Sequence, residues 1–377
     1  MTIVFTGGGT AGHVNPALSV ARFVRLRHPG AEIVFIGSRD GIEEKLVPRE
    51  GYPLELLNIT GIQRGPGWKN FKENLAVPGR LIKSNREARK IIARVKPDVV
   101  LGTGGYASYP AIRAAARAGV PCAIHAPDAQ LGLANKALAK HVDAIMLGFE
   151  DSKWYFKDQT KLHFTGTPIR DGMIYTDPAA AKRKLGLGPD EKLVVSVFGS
   201  TGARDMNKRM ADMFACEVKN GTPFRHIHAA GEFGYKWMPE YVRSKGVDLL
   251  SCPRIDMREY IYDMCEVMAA ADLIITRAGM NTLCEICATG TPAIIVPSPN
   301  VAENHQEKNA RALEARGAAR VLLEQDCTGE VLYNMVVEML ADQTGLKRMS
   351  EAAADMAVYD GVERIYNVLA GLIKANR

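Results

Sequence analysis

No uninterrupted apolar run in this 377-residue chain is long enough to cross a bilayer, so any membrane contact is expected to be peripheral. The chain opens at once on a candidate strand, Ile3-Val4-Phe5, and no signal peptide is expected. Cysteine supplies seven scattered residues, an odd number that argues against a disulfide framework and for a reducing cytoplasm. Cys284 and Cys287 form a C-x-x-C, but no second pair stands at zinc spacing, and both read as small packing residues. Aromatic residues make up 7%, low for an all-β protein. Neither charge dominates. The 48 basic and 42 acidic residues leave +6, which is no case for nucleic acid and is compatible with an anionic substrate or membrane surface. No Asp-x-Asp occurs, so the carboxylate pair that often holds a metal beside a diphosphate is missing.

What is present is an ordinary globular composition, 47% hydrophobic and 24% charged, with alternating β and α patterns. That combination predicts an α/β protein, and the length predicts two domains. The most informative stretch runs from Asp272 to Ala310. Leu273-Ile274-Ile275-Thr276 fits a buried parallel strand, Arg277-Ala278-Gly279 a sharp turn, and about Asn281 to Thr289 an amphipathic helix. A second apolar run, Ala293 to Val296, leads through a polar loop to Asn304-His305-Gln306 and another helix. Open sheets bind ligands at the carboxyl ends of such strands. Gly279 admits a diphosphate close to the backbone at a helix N-terminus. Thr282 adds a hydroxyl donor, Glu285 can accept from ribose hydroxyls, and His305 and Gln306 suit sugar hydroxyls. Singly, Thr282 reads better as a helix cap and Glu285 as a solvated acid. In order, at two consecutive strand ends, they point to a nucleotide-sugar.

Gly7, Gly9 and Gly12 after strand one satisfy G-x-G-x-x-G, which raises a dinucleotide-dependent enzyme as a rival. That rival needs an acid at the end of strand two. The strand Ile33 to Ile36 ends in Gly37-Ser38-Arg39, and Glu32 stands at its start. What remains is a glycine loop for phosphate or sugar oxygens, before a helix expected from about Asn15 or Pro16. His13 reads equally as a helix-capping imidazole or as a general base. A second glycine loop, 102–110, follows the strand Val99 to Leu101. His125-Ala126-Pro127-Asp128 ends another strand, where His125 and Asp128 read either as catalytic or sugar-binding groups or as loop ties.

Residues 61–96 carry nine basic residues against two acids, with Trp68, Phe71, Leu75, Leu81 and Ile82 among them. Docking on an anionic membrane is one reading and a surface helix packed on its own domain is the other. The domain break is expected at 163/164, after which the pattern restarts with the strand Leu193 to Phe198 and the loop Gly199-Ser200-Thr201-Gly202. His226 and His228 are not read as a metal pair, on the ground that alternate strand residues point to opposite faces. Val362, Ile365, Tyr366, Leu369, Leu372 and Ile373 repeat at helical spacing, a packing helix within about 350–377 that crosses back onto the first domain.

The motifs TGGGTAGHVNPA (6–17), GTGGYASYP (102–110), FGSTGARDMN (198–207), YIYDM (260–264), TRAGMNTLCE (276–285) and ENHQEKNA (303–310) span nearly the whole chain. In this order they resemble the bacterial MurG family, the peptidoglycan N-acetylglucosaminyltransferases that convert lipid I to lipid II. The resemblance implies a GT-B fold, with two Rossmann-like domains, 1–163 and 164–349, facing across a cleft. It implies inverting transfer from UDP-N-acetylglucosamine to the 4-hydroxyl of the lipid-linked muramyl-peptide acceptor at the cytoplasmic face of the membrane, with no nucleic acid involved. His13 becomes the catalytic base. The donor contacts become Thr10, Gly12, Asp128, Arg170, Ser200, Ile261, Met264, Met280, Asn281, Thr282, Glu285, His305 and Gln306. Gly8, Gly9, Gly104, Gly105 and Tyr106 would face the acceptor, and Trp68, Phe71, Leu75 and Ile82 the membrane. No metal site and no required cofactor are implied; a divalent cation, if one takes part, is non-essential. The family usually reads His-Glu-Gln-Asn where this chain reads His125-Ala126-Pro127-Asp128. The alternatives are therefore a related GT-B transferase with another lipid acceptor, an epimerase on the same fold, and a non-catalytic precursor-binding homologue.

Overall fold

A computed structural model describes residues 1–39, 41–60, 77–129, 131–199, 201–301 and 304–376. The chain divides into two compact units, Met1–Pro168 together with Asp360–Arg377, and Ile169–Tyr359.

The first unit runs β1 (Thr2–Gly7), α1 (Ala11–Arg27), β2 (Glu32–Ser38), α2 (Glu43–Arg49), β3 (Leu54–Leu57), α3 (Val77–Val95), β4 (Val99–Gly104), α4 (Ser108–Arg117), β5 (Cys122–Ala126), α5 (Leu133–Leu138), β6 (Ala144–Leu147) and β7 (Leu162–Phe164). Its sheet is parallel, in the order β3-β2-β1-β4-β5-β6-β7. The continuous apolar runs predicted as strands are buried on both faces, as a helix-covered parallel sheet requires. The strand order reverses between β1 and β4, and the register slips there between Thr6 and Gly7.

The second unit runs α6 (Asp171–Tyr175), α7 (Pro178–Lys184), β8 (Lys192–Val197), α8 (Arg204–Asn220), β9 (Phe224–Ala229), α9 (Met238–Ser244), β10 (Ile255–Arg258), α10 (Met264–Ala270), β11 (Leu273–Thr276), α11 (Met280–Thr289), β12 (Ala293–Ile295), α12 (His305–Glu314), β13 (Arg320–Val321), α13 (Gly329–Ala341) and α14 (Gln343–Ala354). Its parallel sheet has the order β10-β9-β8-β11-β12-β13, with the reversal between β8 and β11. The last helix, α15 (Gly361–Ala375), belongs to the first unit, where Ile365, Leu369 and Ile373 enter the core beside Val14, Leu18 and Ala21 of α1.

Four expectations are corrected. The division falls at 168/169 because Thr165 and Gly166 both donate backbone N–H to Leu147 O at the end of β6, at 3.1 and 3.0 Å. The return to the first unit begins at Asp360, and α14 stays with the second. Helix α1 starts at Ala11, with Pro16 inside it rather than in its first turn. His226 and His228 lie on one face of β9, not on opposite faces, because residues two apart on a strand share a face. Ser196 Oγ sits between them, 2.8 Å from His226 Nε2 and 2.7 Å from His228 Nδ1, and Glu217 Oε1 lies 2.7 Å from His226 Nδ1. All four residues are buried and form an internal polar chain. Among the described residues no group of three or more His, Cys, Asp or Glu is placed to hold a metal. The Cys287 thiol is pushed up to about 12 by burial, which suits the packing role read for it.

Burial pushes the His228 imidazole down to about 3, with His226 adding to the effect. It pushes His125, whose Nε2 donates to Gly166 O at 2.9 Å, down to about 4. Both values lie below the ordinary 6.5, so below that pH the unfolded chain binds more protons. Stability from these two groups is full above pH 6.5 and is lost as the pH falls toward 4 and then 3. Each contributes at most on the order of 3 kcal/mol. Melting temperatures should therefore fall from about pH 7 to about pH 4 more steeply in the native chain than in His228→Gln; equal slopes would refute this origin of acid sensitivity.

Candidate functional site

In the first unit, the two glycine loops meet at the β1/β4 reversal. Gly8 N donates to Gly104 O at 3.4 Å, and Thr103 Oγ1 donates to His13 O at 2.7 Å. A Cβ at Gly105 would overlap Gly8 O, and one at Gly104 would lie 2.7 Å from His13 Cδ2. Gly9 has φ +85°, and the Tyr106 ring stands 3.0 Å from where its Cβ would be. Gly8, Gly9, His13, Gly104, Gly105 and Tyr106 are thus brought together, as expected of one site. Thr10 is the residue before α1, and Gly12 is exposed in its first turn.

His13 does not act as a helix cap, because it lies inside the first turn of α1. Its Nδ1 lies 3.1 Å from Gly8 O and 3.2 Å from Thr10 Oγ1. A carbonyl only accepts, so Nδ1 carries the proton and the neutral ring has its basic lone pair on Nε2.

At the end of β5 the two candidates separate. His125 is buried, bonded to Gly166 O, and neutral at ordinary pH, so it ties the loop and does not contact a substrate. Asp128 is half-buried, and its backbone carbonyl accepts from Ser152 Oγ at 3.1 Å.

In the second unit the candidates gather at the carboxyl ends of β10, β11 and β12. Gly279 precedes α11 in an extended conformation, with no side chain capping the helix and open space where its Cβ would be. The first-turn N–H groups therefore form an anion site of the expected kind. Thr282 and Asn281 lie in that first turn, half-buried, and Thr282 is not the cap. One turn on, Glu285 Oε1 accepts from Arg170 Nε at 2.7 Å. Burial works against the Arg170 charge, but Glu285 outweighs it and holds the guanidinium above its ordinary value. Two expected donor contacts, one for ribose and one for diphosphate, are thus already paired.

Ile261 is buried after β10, which leaves its backbone as the part able to meet a base, and Met264 opens α10 half-buried. The Met280 side chain is buried beside Cys284. A ligand meets backbone at that position, not the thioether expected to line the sugar. His305 begins α12 after Asn304, whose φ is +53°. Gln306 Oε1 accepts from Ser298 N at 2.9 Å, so its amide is partly committed to its own loop. Ser200, Trp68, Phe71 and Leu75 lie outside the described residues; Ile82 is exposed on α3.

Several residues that shape these sites are invisible to motif reading. Arg277 Nη1 donates to Val296 O and Pro297 O at 3.0 and 3.2 Å, joining the loops after β11 and β12. Buried Asn309 donates to Ala278 O at 3.3 Å. Buried Glu43, on α2, accepts from Gly9 N at 3.0 Å, from Ser38 N at 2.8 Å and from Ser38 Oγ at 2.6 Å. Asn309 falls within a quoted motif, but its role is set by a carbonyl far away in sequence. Glu43 falls within none.

Residues 3–147 match the glycosyltransferase family 28 N-terminal domain and residues 193–365 the glycosyltransferase family 28 C-terminal domain. The chain is 39% identical over 374 residues, 99% of each chain, to the UDP-N-acetylglucosamine–N-acetylmuramyl-(pentapeptide) pyrophosphoryl-undecaprenol N-acetylglucosamine transferase of Acetivibrio thermocellus. It is 37% identical over 378 residues, 100% of each chain, to the protein of the same name in Moorella thermoacetica. The crystal structure of Acinetobacter baumannii MurG superimposes with a TM-score of 0.76 at 24% identity, covering 98% of this chain and 99% of that one.

The Arg170–Glu285 pair yields a direct expectation. Glu285→Ala removes a ribose acceptor and releases Arg170 from its partner, so UDP affinity measured by calorimetry should fall about ten- to a hundred-fold. Unchanged affinity would remove Glu285 from the nucleotide site.

Proposed function

The chain belongs to the MurG family of N-acetylglucosamine transferases, and from that premise we propose that it transfers N-acetylglucosamine from UDP-N-acetylglucosamine to the 4-hydroxyl of the muramyl residue of lipid I, forming lipid II for peptidoglycan. It is a glycosyltransferase with two parallel-sheet α/β domains, the GT-B architecture. The observation that carries the donor assignment is the grouping at the strand ends of the second unit. There an uncapped helix N-terminus at Gly279 stands one turn before the Glu285–Arg170 pair. The acceptor assignment rests on the names of relatives that match over essentially the full chain.

In this reading His13 Nε2 takes the proton from the acceptor hydroxyl as that oxygen attacks the anomeric carbon. The bond from the anomeric carbon to UDP breaks on the opposite face, and UDP leaves with the electron pair, inverting the configuration. Negative charge grows on the leaving diphosphate. The first-turn N–H groups of α11, Thr282 and Arg170 are preorganised donors for it. Asp128 in place of the family's Asn accepts but cannot donate when ionised, so its part in sugar binding is confined to hydroxyl donors.

The lipid acceptor brings the enzyme to the cytoplasmic face of the cell membrane. Among the described residues no helix is long and apolar enough to cross a membrane. Exposed Ile82, with Lys83, Arg86, Arg89 and Lys90 along the outer side of α3, supports peripheral contact with anionic lipid.

UDP release from UDP-N-acetylglucosamine should depend on a soluble lipid I analogue and yield a disaccharide product. Donor binding without acceptor-dependent release would overturn the lipid I assignment. His13→Ala should lower kcat about a hundred- to ten-thousand-fold with UDP affinity unchanged; normal turnover would remove His13 from the base role.

A further inference from the structure

Glu43 is a fully buried acid that no part of the proposed chemistry uses. Its niche is lined by glycines. A Cβ at Gly8 or Gly41 would overlap its carboxyl oxygens, and one at Gly37 would lie 2.6 Å from its Cγ. Oε1 accepts from Ser38 N and Oγ, and Oε2 accepts from Gly9 N at 3.0 Å. The Gly9 N–H belongs to the same planar peptide unit as the Gly8 carbonyl. That carbonyl is the one 3.1 Å from His13 Nδ1. A single peptide group therefore joins the two side chains, with its N–H on the carboxyl of Glu43 and its C=O on the imidazole of His13. The φ of +85° at Gly9 sets the orientation of this peptide.

We propose that Glu43 is a positioning residue for His13, acting through the Gly8–Gly9 peptide as a carboxyl–peptide–imidazole relay; this rests on the reading of His13 as the base. Accepting the peptide N–H polarises the amide and makes its carbonyl a stronger acceptor. The stronger carbonyl holds the Nδ1 proton and the ring plane, keeps the lone pair on Nε2, and favours the imidazolium that forms when the proton is taken. The logic is that of the carboxylate behind the histidine in a Ser-His-Asp triad, with a backbone group interposed. The titratable groups in this corner are Glu43 on α2, Tyr106 after β4 and His125 at the end of β5, which is within electrostatic reach of His13.

The test is a double-mutant cycle on the full-length enzyme with UDP-N-acetylglucosamine and a soluble lipid I analogue. Glu43→Gln removes the charge and presents an NH2 group that cannot accept from the donors around it. It should lower kcat about ten- to a hundred-fold, the range of losses seen when a buried partner behind a working histidine is removed, with the donor KM within about twofold. Losing the carboxylate disfavours the imidazolium, so the acidic limb of the kcat profile should move to lower pH. In the His13→Ala background the same substitution should cost little more, because relay and base act as one unit. An equal loss in that background, or an unmoved acidic limb, overturns the relay and leaves Glu43 a loop support. Normal turnover of His13→Ala alone defeats the base reading, and the relay with it. Should Glu43→Gln fail to fold, Glu43→Asp carries the same cycle: an intermediate loss in kcat that vanishes in the His13→Ala background supports the relay, and a loss that persists overturns it.

Discussion

Both candidate sites depend on backbone lying directly against backbone beside a strand end. In the first unit Gly105 lies over the Gly8 carbonyl, and in the second Gly231 lies over Gly202 N, each where a Cβ would overlap its neighbour. These contacts leave no thickness for side chains between adjacent loops. The polar groups of the loops therefore stay close to the sheet edge, where helix N-termini point. The glycines that give the motifs their appearance serve this approach as much as they serve a ligand. Gly279 is the exception, since nothing in the protein lies within 4 Å of where its Cβ would be.

A second layer of constraint comes from side chains that bond to loop backbone. Arg277 holds the loop after β12, Asn309 holds the turn after β11, and Asn207 donates to Ala230 O at 2.7 Å after β9. Behind them, the chain Glu217–His226–Ser196–His228 threads polar groups through the middle of the second sheet. Loops tied in this way are ordered before a ligand arrives, so less binding free energy is lost to ordering them.

The parallel strands and their helices were legible because buried apolar runs alternate with amphipathic stretches, and glycine loops mark the turns between them. The grouping of candidates at strand ends was legible for the same reason. What was not legible involves a partner distant in sequence. Glu43 reads as one of two adjacent acids in a surface helix until Gly9 N is placed against it. His125 reads as a site residue until its burial and its bond to Gly166 O are known. His226 and His228 were misplaced by a parity error, since period two puts them on one face. The start of α1 was misread because Pro16 looks like a first-turn residue, whereas the turn begins at Thr10.

The C-terminal helix changes the order in which this protein can be completed. Ile365, Leu369 and Ile373 enter the same core as Ile3, Phe5 and Val14. The second unit is thus an insertion within the first, whose two segments lie at opposite ends of the chain. A ribosome delivers nearly all of the first unit, then the whole of the second, and only then the helix that closes the first. Throughout synthesis of residues 169–359 the face of α1 that receives α15 has no native cover. The second unit is free to fold on emergence, while the first is finished last even though it begins first.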